Sequence, residues 1–290
     1  MRILENEALK ICVSDHGAEL CSVTDKATGA ERIWTADPSI WNRHAPILFP
    51  FVGKVTGGQY RIGDRTFSMK TQHGFARDRD FVCEEEDPGR IVHTLCSDEA
   101  AKEIYPYDFR LSVSHALDET NPRALWIGWT VENTGSVPMY YSVGGHPGFL
   151  LPDGTGKKDC LFFFPGKKEL SCYGVTPEGY ALPDREKTFA PDDGFVPFDD
   201  SAADTWIFDG SQVQSVSICS EDGTPYVTLR CPGFPYLAVW SKKGAQFICL
   251  EPWYGRTDDD GFCGTLAEKP GMQTLEAGAK AEFFYSIVFH

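Results

Sequence analysis

Three polar clusters interrupt otherwise apolar, glycine-rich stretches of this 290-residue sequence. They are QHGFAR at Gln72–Arg77, GGHPGF at Gly144–Phe149 and LEPWYGRT at Leu250–Thr257. Histidine and glutamate are the residue types that most readily exchange protons with a bound molecule near neutral pH. The clusters therefore predict general acid–base chemistry.

His146 and Glu251 are the strongest candidates within these clusters. His146 lies between two glycines and a Pro-Gly pair, which let the backbone turn sharply and expose the imidazole at a strand end. Glu251 directly follows an apolar strand-like run, so we expect its carboxylate to be partly buried. Two structural alternatives remain open: His146 as an ordinary turn residue, and Glu251 in an ion pair with Arg256 or another arginine.

Strand-like alternation surrounds these clusters along the whole chain. Apolar residues alternate with polar ones in many short runs, and a Lys-Lys-Gly-Ala turn at 242–245 separates two of them, as in a hairpin. Helical periodicity is limited to Asp98–Tyr105, which Pro106 should end. The Pro-, Gly- and Asp-rich region 177–200 is interpreted as an irregular loop. We therefore predict one all-β domain over residues 1–290, a large antiparallel β-sandwich.

Charge and cysteine usage narrow the possible partners and compartments. The net charge of −15 would repel nucleic acids and anionic membranes, and the lysines and arginines form no basic block. The ten cysteines form no C-x-x-C pair, and the N-terminus lacks an export signal. We expect reduced thiols, a cytoplasmic location, and neither nucleic acid nor membrane as a partner.

The clusters also resemble the aldose 1-epimerase (galactose mutarotase-like) superfamily, in the branch of the lactose-operon mutarotase-like proteins and the hexose-phosphate mutarotases. The resemblance covers nearly the whole chain and rests on six segments in the family's order: HGAEL (16–20), WNRHAPILFPFVGKV (41–55), QHGFAR (72–77), GGHPGF (144–149), ADTWIFDG (203–210) and CLEPWYGRTD (249–258). It implies a supersandwich of antiparallel sheets and a sugar as the small-molecule substrate. The sequence signals no metal and no cofactor, and we expect the reaction to need neither.

The resemblance also implies roles for particular residues. Glu251 matches the family's general base and His146 its general acid. His73 matches a second, substrate-binding histidine, and Asp204 an aspartate that contacts sugar hydroxyls. Aromatic residues beside the motifs are expected to pack on the apolar face of a sugar, but only one or two of these five: Phe75, Phe149, Trp206, Trp253 and Tyr254.

Opening a cyclic hemiacetal suits a glutamate and a histidine. One group takes the proton of the C1 hydroxyl while the other protonates the ring oxygen, and the open aldehyde rotates and closes on its other face. A glutamate with an ordinary pKa is ionised at neutral pH, and a histidine is partly protonated. We expect nearby carboxylates in this acidic protein to raise the pKa of His146 further.

The substrate remains open because this sequence departs from the well-studied galactose mutarotases. Those proteins carry Asn-Arg and Asn-His where this chain has Gly53-Lys54 and Gly145-His146. Lys54, Arg43 and Arg77 are candidates to bind a hydroxyl, or the phosphate of a hexose 6-phosphate. A neutral hexose is the first expectation, and a solvated or carboxylate-paired cation is the structural alternative for each residue.

Three other functions fit parts of the pattern. A non-catalytic sugar-binding protein would need no histidine–carboxylate pair. A hydrolase or lyase would use two carboxylates, such as Asp204 and Glu251. A metal site of His73, His146 and Glu251 lacks any local ligand spacing and is the weakest alternative.

Overall fold

A computed structural model of the chain describes residues 1–198 and 205–290. Short strands with alternating buried and exposed positions dominate it, as the sequence pattern predicts. In chain order, the strands before residue 151 are β1 (Arg2–Glu5), β2 (Leu9–Val13), β3 (Leu20–Asp25), β4 (Ile47–Leu48), β5 (Gln59–Ile62), β6 (Arg65–Ser68), β7 (Val82–Asp87), β8 (Arg90–Cys96), β9 (Phe109–Leu117), β10 (Ala124–Asn133), β11 (Met139–Tyr141), β12 (Val143–Gly145) and β13 (Gly148–Leu150).

The second half of the chain continues in the same way. Its strands are β14 (Leu161–Phe163), β15 (Leu170–Cys172), β16 (Lys187–Phe189), β17 (Phe195–Pro197), β18 (Thr205–Phe208), β19 (Ser215–Cys219), β20 (Pro225–Arg230), β21 (Tyr236–Trp240), β22 (Phe247–Tyr254), β23 (Gln273–Leu275) and β24 (Lys280–Phe289). The described part of the region interpreted as an irregular loop, residues 177–198, therefore contains two short strands, β16 and β17, and a 3₁₀ turn at Pro183–Arg185.

Helix is scarce in the described ranges. One short α-helix, α1 (Glu99–Ile104), begins after Asp98, whose carboxylate accepts the amide of Ala101 as an N-cap. The predicted helix is confirmed to within one residue at each end. Single 3₁₀ turns occur at Thr56–Gly58, Ala76–Asp78, Lys157–Asp159, Pro183–Arg185 and Leu266–Glu268. None of these helical segments has the length and apolarity that a transmembrane helix requires.

Two sheets organise the strands. The larger has nine strands in the order β17-β14-β19-β20-β24-β10-β9-β8-β7, and the smaller follows the order β18-β21-β22-β12-β4, with β13 also pairing β22. Strands β1–β3 form a third sheet, and three two-stranded ribbons (β5-β6, β11-β23 and β15-β16) complete the set. Each of these strand pairs is antiparallel, which confirms the all-β, antiparallel prediction.

The inner faces of the two large sheets share one hydrophobic core. Gly145 of β12 lies directly under Trp129 of β10 and Tyr285 of β24, and a Cβ atom at Gly145 would be 2.8 Å from the Tyr285 hydroxyl. Such close contact leaves no room for a side chain at that position. The packing fixes the end of β12, from which His146 extends, against the larger sheet.

Candidate functional site

A cavity of about 500 Å³ opens at the smaller sheet, where β12, β21 and β22 lie side by side. Six of the eight site residues expected from the sequence line it: Lys54, His73, Arg77, His146, Glu251 and Trp253. Arg43 is not among the described residues that line the cavity, but it contacts one of them, Arg77. Asp204 lies outside the part of the chain that the structure describes. The wall also includes Trp41, Gly53, Gln72, residues 175–179, Thr205, Ile207, Trp240 and Thr257.

The sheet register brings His146 opposite Glu251. β12 pairs with β22 at Trp253 and Tyr254, whereas β13 pairs with β22 from Phe247 to Cys249. The break between β12 and β13, which carries His146, therefore faces the middle of β22. The Nε2 atom of His146 lies 3.3 Å from Oε2 of Glu251.

Gly144 makes this close approach possible. It pairs with Trp253, and a Cβ at Gly144 would lie 2.6 Å from Cδ1 of the Trp253 indole. The missing side chain leaves room for the indole beside the histidine turn. The glycines before His146 thus act through packing against neighbouring rings as well as through turn geometry.

Glu251 is almost fully buried, with 1% of its surface exposed. Burial raises the pKa of its carboxyl well above the ordinary value, and the nearby indole N–H of Trp253 opposes the shift only in part. Its Oε2 atom has no hydrogen-bond partner among the described residues. The ion-pair alternative is wrong for Arg256, because that guanidinium pairs with Asp259 at 2.6 Å.

Three neighbouring rings pack around the imidazole of His146. The ring centroids of Trp41, Trp240 and His73 lie 5.0, 5.4 and 5.5 Å from its own. Burial lowers the pKa of His146 to about 3, and the positive charge of Arg77 adds to this shift. The expectation of a raised pKa is therefore wrong, because desolvation, which the sequence could not give, outweighs the acidic composition.

The two shifts together define the protonation of the pair. Burial disfavours a charge on either group, so the neutral imidazole and the protonated carboxyl are both favoured. The two atoms are 3.3 Å apart, and when both groups are neutral the pair carries one acidic proton, on Glu251. Moving that proton from Glu251 to His146 converts the neutral pair into the ion pair.

His73 is held in a single tautomer by the backbone of Gly53. The Gly53 amide donates to Nδ1 of His73 at 3.1 Å, and the His73 amide donates to the Gly53 carbonyl at 2.7 Å. Nδ1 is therefore an acceptor, and Nε2 carries the proton. Burial and the surrounding cations lower the pKa of His73 well below its ordinary value, so the ring is a neutral N–H donor.

Cations cluster around His73. Arg77, Lys54 and Arg43 each contribute to lowering its pKa. The side chain of Arg77 is 12% exposed and donates to the Gln72 carbonyl at 2.8 Å. Arg43 pairs with Asp78 at 2.5 Å and donates to the Arg77 carbonyl at 3.1 Å, so it supports Arg77 from behind.

The wall beside Lys54 depends on a buried ion pair that sequence reasoning missed. Lys269 Nζ lies 2.6 Å from Asp258 and 3.2 Å from the Lys54 carbonyl, and both charged side chains are at most 3% exposed. Thr257 Oγ1 accepts the Lys54 amide at 3.0 Å and donates to the Gly179 carbonyl at 2.8 Å. These bonds join three separate wall segments. In the sequence, only the motif GRTD, which contains Thr257 and Asp258, pointed to these contacts.

The aromatic wall was predicted only in part. Of the five aromatics named from the sequence, Trp253 lines the cavity, whereas Phe75 and Phe149 are core residues and Trp206 packs on Phe162. The hydroxyl of the fifth, Tyr254, donates to the Gly233 carbonyl. Trp41 and Trp240 were missed, because neither adjoins a catalytic candidate in sequence; they reach His146 only through folding.

All ten cysteines lie in the described ranges as free thiols, and five of them are buried. Two groups of side chains in those ranges have the composition and proximity of metal ligands: Glu19 with Cys21 and His44, and His146 with Cys249 and Glu251. The metal site considered from the sequence, formed by His73, His146 and Glu251, is not one of these two groups.

Comparisons with known proteins identify the family of the chain. The family model for aldose 1-epimerases matches residues 2–267. The chain is 30% identical over 277 residues to the chromosomal LacX protein of Lactococcus lactis subsp. lactis, with 92% of each covered. It resembles the galactose mutarotase related enzyme of Lactobacillus acidophilus (TM-score 0.92, 31% identity, 99% and 96% of the two chains covered). It also resembles a galactose mutarotase-like protein of Lactobacillus casei (TM-score 0.90, 30% identity, each chain fully covered). A sandwich of this kind, with a family match along most of its length, shows that the chain belongs to the aldose 1-epimerase family.

Proposed function

We propose that this protein is a mutarotase, an isomerase that interconverts the α and β anomers of a hexose by general acid–base opening and closing of the ring. The observation that carries the proposal is the buried pair of His146 and Glu251 on the cavity wall, with 3.3 Å between Nε2 and Oε2. The C1 hydroxyl and the ring oxygen of a hexose are bonded to the same carbon. A donor and an acceptor this close together can therefore serve both oxygens of one bound sugar.

The reaction needs one transferable proton on the pair. In the ion-pair form, Glu251 takes the C1 hydroxyl proton while the His146 imidazolium protonates the ring oxygen, and the C1–ring oxygen bond breaks. The pair is then neutral, with the proton on Glu251 and none on Nε2. After rotation about C1–C2, the reverse transfers close the ring on the other face of the aldehyde. Burial favours the neutral form, which is the state of the pair when the ring is open.

His73 and Trp253 are proposed to bind the sugar. His73 offers a fixed Nε2–H donor, because its Nδ1 accepts the Gly53 amide. Trp253 offers an apolar ring beside the acid–base pair. Neither group needs to gain or lose a proton in this mechanism, which is consistent with the low pKa of His73.

The experiment is saturation-transfer NMR of α/β exchange with glucose and galactose, comparing wild type with Glu251→Gln and His146→Asn. Each substitution removes one proton-transfer group, Glu251→Gln at nearly constant volume, and should slow the enzymatic exchange by about 10²–10⁴-fold. Glu7→Gln and His16→Asn make the same chemical changes at exposed positions and should leave the rate unchanged. If wild type shifts the sugar lines without accelerating exchange, the chain is a binding protein and the proposal fails.

A hexose 6-phosphate is a second candidate substrate, and the cations around His73 favour it. Lys54 and Arg77 line the cavity of a protein whose net charge is −15. Arg77 Nε lies 3.9 Å from Asp78 Oδ2, and Lys54 Nζ donates to the Glu178 carbonyl, so neither guanidinium nor ammonium has a close carboxylate contact among the described residues. Glucose and galactose 6-phosphates in the same NMR panel decide between the two. Under this alternative, Arg77→Gln should raise KM for the phosphate about tenfold or more and leave KM for the neutral sugar nearly unchanged.

A further inference from the structure

Cys249 lies directly beneath the proposed acid–base pair. It precedes Glu251 by two residues on β22, so the two side chains point to the same face of the sheet. Its Sγ atom, one imidazole nitrogen of His146 and a carboxylate oxygen of Glu251 all lie within 4.8 Å of one another, and all three residues are buried. The mutarotase mechanism gives the thiol no task.

The three groups form a ligand set for a soft divalent cation. Thiolate, neutral imidazole and carboxylate are the usual zinc ligands, and three protein ligands with one open position are typical of accessible zinc sites. Donors around a tetrahedral zinc are separated by about 3.5 Å. The His146–Glu251 distance of 3.3 Å already matches, and the widest separation in the trio needs to shorten by little more than 1 Å.

Two further observations distinguish this trio from a chance cluster. Oε2 of Glu251 is buried without a hydrogen-bond partner among the described residues, so the coordination of an ion would cost no existing hydrogen bond of that oxygen. The other group, Glu19 with Cys21 and His44, is different, because Glu19 Oε1 already accepts the backbone amides of His44 and Ala45 at 2.7 and 2.9 Å.

We propose that His146, Cys249 and Glu251 bind Zn²⁺ as an inhibitory ion, with its fourth position facing the cavity. Binding forms Zn–S, Zn–N and Zn–O bonds and releases two protons, one from the thiol and one from the carboxyl. The charges of the ion, the thiolate and the carboxylate then sum to zero, which suits a buried site. Inhibition rests on the proposed function, because zinc would occupy the imidazole lone pair of His146 and the carboxylate of Glu251, which the reaction needs.

Cobalt provides a test of binding that does not depend on activity. Co²⁺ added to metal-free wild type should produce a thiolate-to-cobalt charge-transfer band in the near ultraviolet, and equimolar Zn²⁺ should remove it. Cys249→Ala should abolish the band, and Cys249→Ser serves if the alanine variant does not fold. Cys21→Ala, which removes the thiol of the other group, should retain the band. Absence of the band in wild type, or its persistence in both Cys249 variants, overturns the site.

Zn²⁺ inhibition of anomer exchange then tests the consequence. Wild type and Cys21→Ala should be inhibited equally and should recover with EDTA. Cys249→Ala should exchange anomers at the normal rate, and its inhibition should require at least about tenfold more Zn²⁺. Equal inhibition of all three proteins overturns the proposal. A cobalt band in a chain that exchanges no sugar would retain the metal site and reject the mutarotase function, so the two failures are distinguishable.

Discussion

At the scale of single residues, burial decides the chemistry of the site. Glu251 and His146 have nearly complementary pKa shifts: the carboxyl is raised and the imidazole lowered to about 3, both by desolvation. A carboxyl with a raised pKa is a weak acid and an imidazole with a lowered pKa is a weak base, so in water the two would exchange a proton poorly. In the proposed mechanism the buried pair holds one proton, which is what ring opening and closing require.

The pH profile follows from the directions of these shifts. Below the pKa of His146 the pair holds two protons and has no base; above the pKa of Glu251 it holds none and has no acid. Because the first value is lowered and the second raised, we expect kcat/KM for a neutral hexose to stay level through pH 6.5, where an ordinary histidine titrates. Exchange rates measured from pH 5 to 8, after subtraction of the uncatalysed rate, check this. A decline centred near pH 6.5 would contradict it.

Arg77 offers a directed change to that profile. Its charge helps to lower the pKa of His146. Removing the charge with Arg77→Gln should therefore raise that pKa and move the acid limb of the kcat/KM profile to higher pH, whatever happens to the absolute rate. Arg110→Gln, at a partly exposed arginine paired with Glu84, is the control and should leave the limb unmoved. An unchanged limb in Arg77→Gln would mean that the guanidinium does not act on His146.

At the scale of structural elements, the site is assembled by register and by buried polar contacts between loops. The break between β12 and β13 faces Glu251 only because both strands pair with β22 on either side of it. The opposite wall depends on Lys269, which bonds Asp258 and the Lys54 carbonyl. A hairpin register and a lysine near the C-terminus thus define the shape of one cavity.

The Lys269–Asp258 pair makes a prediction for stability. Lys269→Met should lower the free energy of unfolding by about 3–5 kcal/mol, because it leaves the buried Asp258 carboxylate without its cation. Adding Asp258→Asn removes that uncompensated charge and should recover part of the loss. Urea unfolding of wild type and both variants provides the measurement. If the double variant is less stable than Lys269→Met, uncompensated charge is not the cause.

Much of this element-level organisation was predictable. The apolar alternation predicts the strands, and the turn residues at 242–245 predict the β21–β22 hairpin. The motifs led to six residues that share one cavity. The pKa of His146, the positions of Trp41 and Trp240, and the role of Lys269 were not predictable, because each depends on desolvation or on contacts between segments far apart in sequence.

At the scale of the whole molecule, the core contains titratable groups that favour the folded state only when neutral. His115 lies on β9, an inner strand of the nine-stranded sheet, and burial together with His93 lowers its pKa to about 3. In the unfolded chain, its pKa is about 6.5. Between these two values the unfolded state binds one more proton than the folded state does, so acidification destabilises the fold.

His115→Leu tests this linkage. As pH falls below 6.5, the free energy of unfolding of wild type should decrease by about 1.4 kcal/mol per pH unit through this residue alone. The leucine variant lacks that contribution, so its stability relative to wild type should improve at pH 5 compared with pH 7. Urea unfolding at both pH values measures the change. His16→Leu, at an exposed histidine, should show no such relative gain.

The central claim is that His146 and Glu251 act as one proton-transfer unit, and a double-mutant cycle of the anomer exchange rate tests it most directly. Groups that act as a unit have strongly non-additive effects. We therefore predict that His146→Asn/Glu251→Gln exchanges anomers about as slowly as either single variant. A double variant whose loss equals the product of the two single losses would contradict the account.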